Sequence, residues 1–108
     1  MSQTQMMKGI IDGCLLAIID GNECYGYEMA ERLGDYGFDA VSEGTIYPLL
    51  MRMQREGLVT SVRRASTAGP QRKYYSLTKE GKQALAEFIL RWQQLEKSVN
   101  AVLKKEME

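Results

Sequence analysis

The sequence predicts a mostly α domain with a β-hairpin wing: a winged helix-turn-helix followed by a C-terminal dimerisation helix. Three observations predict it. Apolar residues recur at helical spacing in three blocks before Gly57 and again after Thr78. Between those blocks the period shortens to two on either side of a turn-rich Ala65-Ser66-Thr67-Ala68-Gly69-Pro70. The charge, zero in sum, is positive in the middle of the chain and negative before it.

The first helix is read over residues 4–19, with Met7, Ile10, Ile11, Cys14, Leu15 and Ile18 on one stripe. Leu16 and Ile19 fall outside that stripe, so the helix is apolar on a second side and a partner chain is one candidate to cover it. Asp20-Gly21-Asn22 ends it, and a short second helix restarts at Tyr25 through Gly26, Met29, Ala30 and Leu33. Gly34, Gly37 and Asp39 break that helix. A third begins between Ser42 and Thr45, with Ile46, Leu49, Leu50 and Met53 on one face and Gly57 as its C-terminal cap. Pro48 conflicts with a start at Ser42, because its ring meets the carbonyl of Gly44; the helix either starts late, capped at Thr45, or kinks.

Leu58, Thr60 and Val62, then Arg72 to Leu77, form the hairpin strands. Thr78 caps a last helix running to about Lys105, which at ~1.5 Å per residue is ~40 Å long. Leu85, Phe88, Trp92, Leu95, Val99 and Val102 alternate spacings of three and four along it, a coiled-coil seam. Such a helix outruns a core of this size, so the seam is read as a dimer interface. The chain then divides into a winged-helix domain over residues 1–78, whose first helix also serves the interface, and a dimerisation helix over residues 79–108.

Composition narrows the function. A chain of 108 residues, 44% hydrophobic and 26% charged, is one small globular domain. The longest apolar run, Cys14 to Ile19, falls far short of the roughly 20 residues of a membrane span, and the polar start Met1-Ser2-Gln3-Thr4-Gln5 lacks the basic region of a secretory signal. Two cysteines build no disulfide framework, so a cytoplasmic protein is expected. There is no histidine, no phosphate-cradling glycine loop and no catalytic carboxylate pair. Zinc chemistry, triad chemistry and a cofactor are therefore not expected, nor is an enzyme. Cys14 reads as a small buried apolar residue, and Cys24, in a turn, lacks the nearby basic group a reactive thiol needs.

Residues 1–41 carry a net charge of −5, residues 42–76 of +4 and residues 77–108 of +1. A polyanion is therefore expected on the middle segment, the third helix and the hairpin. In a winged helix the third helix enters the major groove of DNA and the hairpin lies along the backbone. Opposite the apolar face of that helix lie Gly44, Pro48, Met51 and Arg55, flanked by Tyr47 and Arg52. Arg52 and Arg55 suit phosphates or guanine edges, Thr45 and Tyr47 donate to phosphate oxygens, and Met51 suits a thymine methyl. Arg63, Arg64, Arg72 and Lys73 of the hairpin suit the backbone.

The segments Tyr25-Gly26-Tyr27-Glu28, Gly44-Thr45-Ile46-Tyr47-Pro48-Leu49-Leu50, Arg55-Glu56-Gly57-Leu58 and Gly69-Pro70-Gln71-Arg72-Lys73-Tyr74-Tyr75-Ser76-Leu77-Thr78-Lys79-Glu80-Gly81 resemble the signatures of PadR-family bacterial transcriptional regulators. With one helix after the hairpin, the chain is similar to the short subfamily. The resemblance implies a homodimeric repressor whose partner is double-stranded promoter DNA and whose last helix packs on the partner chain's first and last helices. In the multidrug-sensing members an aromatic residue of the last helix lines a ligand pore at the interface, and Trp92 matches it. Asp12 and Glu96 fall where polar pocket residues occur, and Phe88, Ile11 and Leu15 would complete the site. A small hydrophobic or flat cationic aromatic effector is what such a pocket would take. Asp12 has a plainer reading as the partner of Lys8 one turn earlier, and Trp92 as an interface core residue. The chain departs from the family pattern at Met51, where arginine is frequent, and at Pro70-Gln71, so base preference does not carry over. The competing function is a winged-helix protein–protein interaction module that meets neither DNA nor ligand.

Overall fold

The order of elements is α1 (Ile10–Gly21), α2 (Gly26–Asp35), α3 (Glu43–Arg55), β1 (Val59–Ser66), β2 (Gly69–Leu77) and α4 (Lys79–Met107). The computed structural model describes Ser2, Met6, Met7 and residues 9–107. The three short helices close around one core: Ile11, Leu15, Leu16 and Ile19 from α1, Met29 and Leu33 from α2, Ile46, Leu50 and Met53 from α3. Cys24 and Val41 from the connecting segments, Val59 and Tyr75 from the hairpin and Leu85 from α4 complete it. Every buried side-chain nitrogen and oxygen among the described residues has a hydrogen-bond partner.

α1 corrects the sequence reading twice. Gly9 takes φ +87°, a left-handed conformation that costs a glycine nothing, so α1 starts at Ile10 rather than running through from residue 4. Thr4 and Lys8 lie outside the described residues. The buried face is also wider than the stripe and shifted from it: Ile11 and Leu15 are buried as expected, Leu16 and Ile19, for which a partner chain was one candidate, are buried in the chain's own core, and Met7, Ile10, Cys14 and Ile18 of the stripe are only partly covered. Helical spacing marks both faces as apolar and does not say which neighbour each one meets.

α3 starts early. Its N-cap is Ser42, whose carbonyl accepts from the Thr45 and Ile46 N–H groups at 3.0 and 3.1 Å, and Pro48 sits inside the helix. A proline there removes the donor that the Gly44 carbonyl would have used. Gly44 and Pro48 both lie on the outer side of the helix, so the carbonyl is left toward solvent rather than in the core.

The hairpin pairs Val59 with Leu77, Ser61 with Tyr75 and Arg63 with Lys73. Ser66 pairs with Gly69, so the broad turn expected over residues 65–70 contracts to Thr67 and Ala68. The register shifts between Arg64 and Ser66, which sets Pro70 and Gln71 against Ala65 alone. A bulge tolerates a proline because its missing N–H is not called on. At the base of the wing Tyr75 exchanges both backbone hydrogen bonds with Cys24, at 2.9 and 3.3 Å, so the turn after α1 acts as a short third strand.

Thr78 caps α4 as expected: its Oγ1 accepts from the Gly81 N–H at 3.0 Å and donates to the Gly57 carbonyl at 2.6 Å. One hydroxyl thus ties the end of α3 to the start of α4. Replacing it, in Thr78→Ala, is expected to cost about 1–2 kcal/mol, measured by urea denaturation with an unchanged slope. Leu85 is 8% exposed and packs on its own domain, so the seam open to a partner starts one turn later than the spacing indicated. Beyond it α4 leaves the core. The radius of gyration is 15.8 Å, against ~13 Å for a compact chain of this length, and the long axis is 57 Å. Among the described residues no helix is long and apolar enough to cross a membrane.

Candidate nucleic-acid interface

Burial of Ile46, Leu50 and Met53 turns the opposite face of α3 outward, and Tyr47, Met51 and Arg55 are exposed there as expected, beside Thr45 and Pro48. The wing adds its cations in two cross-strand pairs, Arg63 opposite Lys73 and Arg64 opposite Arg72. Like charges placed directly opposite destabilise a hairpin unless something of opposite sign answers them.

The answers differ. Arg64 grips Glu23 at two points, Nε to Oε1 at 2.8 Å and Nη2 to Oε2 at 3.1 Å. Arg72 lies 4.5 Å over the Tyr25 ring and donates from Nη1 to the Tyr25 hydroxyl at 3.0 Å. Tyr25 in turn meets the Tyr74 ring edge-on at 5.2 Å and stacks on Tyr27 at 6.4 Å. Arg52 is drawn from α3 toward α1, its Nη2 at 2.6 Å from Asp12 Oδ2 and its Nη1 at 3.6 Å from Glu56. Arg55, Arg63 and Lys73 have no carboxylate partner among the described residues. The six expected cations therefore separate into three that are free for a polyanion and three already engaged.

Sequence reasoning missed Glu23, Tyr25, Tyr27 and Glu43. Tyr25, Tyr27, Glu43, Tyr47 and Arg72 line a recess of about 350 Å³ where α2, α3 and the wing meet. Burial, and then a hydrogen bond with Glu43, push the Tyr47 hydroxyl above the usual tyrosine range, so it keeps its proton and remains a donor. The spacing in Tyr25-Gly26-Tyr27 was the available signal. A Cβ at Gly26 would stand 2.9 Å from the tip of the Tyr47 ring, so glycine lets α3 seat its tyrosine against α2 without displacing it.

On the other side of the molecule, Met6, Met7, Ile10, Cys14, Phe38, Phe88 and Trp92 line a groove of about 540 Å³ between α1 and α4. Of the six residues expected around a ligand, Trp92 and Phe88 line this groove. The other four do not line it. Asp12 is spent on Arg52, neither on the groove nor on Lys8, which lies outside the described residues. Leu15 is fully buried and Ile11 nearly so, beneath the groove in their own core. Glu96 is exposed on α4 and absent from the lining. With no carboxylate in the lining, the groove of the single chain is apolar and gives a flat cation no counter-charge.

Trp92 is 38% exposed, and Leu95, Val99 and Val102 continue an uncovered apolar face along α4, reaching 60% at Val102. Cys24 is fully buried and burial pushes its thiol up to about 11, so it carries no thiolate at neutral pH. Among the described residues no cluster of three or more candidate ligands could hold a metal ion.

Residues 15–87 match the transcriptional regulator PadR-like family. A PadR-like transcriptional regulator from Bacillus cereus strain ATCC 14579 is 48% identical and superposes with a TM-score of 0.83, over 92% of this chain and 96% of that one. A Streptococcus transcriptional regulator is 40% identical with a TM-score of 0.82, over 93% of this chain and 98% of that one. Bacillus subtilis PadR, solved in complex with operator DNA, is 25% identical with a TM-score of 0.66, over 74% of this chain and 46% of that one. The match spans the wing, the helix-turn-helix and the start of α4, the elements that build the surface described above, and the chain belongs to the PadR-like family of transcriptional regulators.

Proposed function

We propose that the protein is a cytoplasmic, homodimeric repressor that binds an inverted-repeat operator in double-stranded DNA and is released by a small hydrophobic effector at its dimer interface. One observation carries the DNA reading: Arg55 on α3 and the opposed pair Arg63 and Lys73 on the wing are exposed and have no carboxylate partner among the described residues, on the two elements a winged helix applies to the groove and the backbone. The solved operator complex of the Bacillus subtilis relative supports it. Thr45, Tyr47, Pro48 and Met51 supply the groove-facing contacts of the same helix, and Arg64 and Arg72 join the wing's backbone contacts once their own partners yield.

The dimer reading rests on Trp92, Leu95, Val99 and Val102, a row of large apolar side chains left in water by a helix that outruns its core. Two copies joined along α4 and the open face of α1 would hold two α3 helices for successive major grooves, about 34–36 Å apart. An effector in the groove against Trp92 and Phe88 releases DNA only by fitting better when those helices are misaligned, since equal binding to both states shifts nothing. Because the lining is apolar, neutral aromatic molecules should quench Trp92 fluorescence more than aromatic cations do.

The test joins assembly to binding. Leu95→Asp with Val99→Asp is expected to give a folded monomer by analytical ultracentrifugation, and to weaken binding to the DNA upstream of the coding region by about a hundredfold, because each half-site then binds alone. A monomeric wild type, or a charged variant that binds that DNA unchanged, would overturn the reading.

A further inference from the structure

Of the cations on α3, Arg52 is the one the fold withholds. Its guanidinium is held by Asp12, forty residues away on α1, in the shortest ion pair among the described residues, with Glu56 on its other side. Two carboxylates around one guanidinium leave that spot net negative, and a DNA phosphate arriving there meets repulsion first. Asp12 is set firmly: its neighbours Ile11 and Gly13 are both buried, and Gly13 leaves room for the Phe88 ring, so the carboxylate rides on backbone clamped between α4 and the core. Arg52 has a flexible stem on the last turn of α3, one residue from the exposed Met51.

Resting on the DNA reading above, the geometry points to Asp12 as an intramolecular competitor of DNA: its carboxylate occupies the guanidinium that a phosphate would otherwise take. Asp12 thereby sets how tightly, and with what salt dependence, the protein binds duplex DNA. Both side chains keep about a third of their surface in water, at 33% and 39% exposure, and an ion pair so exposed is weak enough for a phosphate to displace. Arg52 keeps its charge throughout, because Asp12 pushes its proton affinity further above the ordinary arginine range. What changes is its partner. Asp12 is a positioning residue in this scheme, acting on DNA only through Arg52.

The experiment is a double-mutant cycle read by fluorescence anisotropy on the DNA upstream of the coding region, over a salt series, with folding checked by circular dichroism. Asp12→Asn is expected to tighten binding about tenfold, the worth of one charge-assisted contact, and to steepen the salt slope by about 0.9. Arg52→Gln alone should weaken binding by only about two- to threefold, because in the wild type loss of the Asp12 pair offsets most of the phosphate contact. Placed on Asp12→Asn it should remove the whole gain, and Asp12→Glu, which keeps the charge, should bind as wild type. Asp20→Asn removes a carboxylate from the same helix with no arginine attached and should give only a small part of the effect. A gain that survives Arg52→Gln, an equal gain from Asp20→Asn, or weaker binding by a folded Asp12→Asn overturns the proposal and leaves the DNA reading intact. If the wild type and every variant leave the duplex free at low salt, both fall.

Discussion

Replacing Arg55, Arg63 and Lys73 together by alanine is expected to weaken duplex binding by about a hundredfold or more and to flatten the salt dependence by about 0.9 for each phosphate no longer neutralised. These are the three cations of α3 and the wing with neither a carboxylate nor a tyrosine partner among the described residues, so DNA need not break any ion pair or ring contact to reach them. The change should stabilise the free protein slightly, since Arg63 and Lys73 face each other across the hairpin and repel. Arg64→Ala is the contrasting variant. Its guanidinium already grips Glu23 twice, so its removal should cost DNA affinity less and should leave Glu23 as an uncompensated charge on the turn before α2. Anisotropy titrations at several salt concentrations measure both quantities. A triple variant with the wild-type slope would remove the wing and Arg55 from the DNA surface.

Gly81→Ala is expected to destabilise the fold by about 2–3 kcal/mol, lowering Tm by about 10 °C, against the sign that helix propensity gives. Alanine in a helix is worth about 1 kcal/mol more than glycine, so a reading of α4 as an isolated helix predicts a gain. The tertiary structure reverses it. A Cβ on Gly81 would overlap the Leu58 carbonyl oxygen, the same atom that accepts the Thr78 N–H at 3.0 Å. Backbone cannot step aside as a side-chain end can, so the start of α4 would have to lift off the segment between α3 and β1. Gly21→Ala is the control: nothing lies within 4 Å of its Cβ position, and its stability should stay within about 0.5 kcal/mol of wild type. Thermal denaturation of the two variants, followed by circular dichroism, separates steric overlap from propensity.

Much of the site was legible because its signals are local. Thr78 as a cap, the wing between Leu58 and Leu77, and the exposed face of α3 opposite Ile46, Leu50 and Met53 all follow from residue type and spacing within one element. The choice among Arg52, Arg55, Arg63, Arg64, Arg72 and Lys73 was not legible, because it depends on which carboxylates or rings lie across the fold. Glu23 and Tyr25 stand some forty to fifty residues before the arginines they engage, and Asp12 forty before Arg52. The same limit explains α1, where two apolar faces gave one signal and the core took Leu16 and Ile19.

By itself the sequence determined the order of elements, the concentration of positive charge on α3 and the wing, and a terminal helix too long and too apolar for its own core. Each of these is a property of neighbouring residues, set by backbone propensity and by the period of hydrophobic side chains. Only the tertiary structure decided which cations remain free, which residues of α1 are spent on the core, why Gly81 admits no side chain, and that Asp12 pairs with Arg52. Those outcomes turn on approaches of a few ångströms between segments distant in the chain, and electrostatic pairing and close packing fall off too steeply with distance for local pattern to record them.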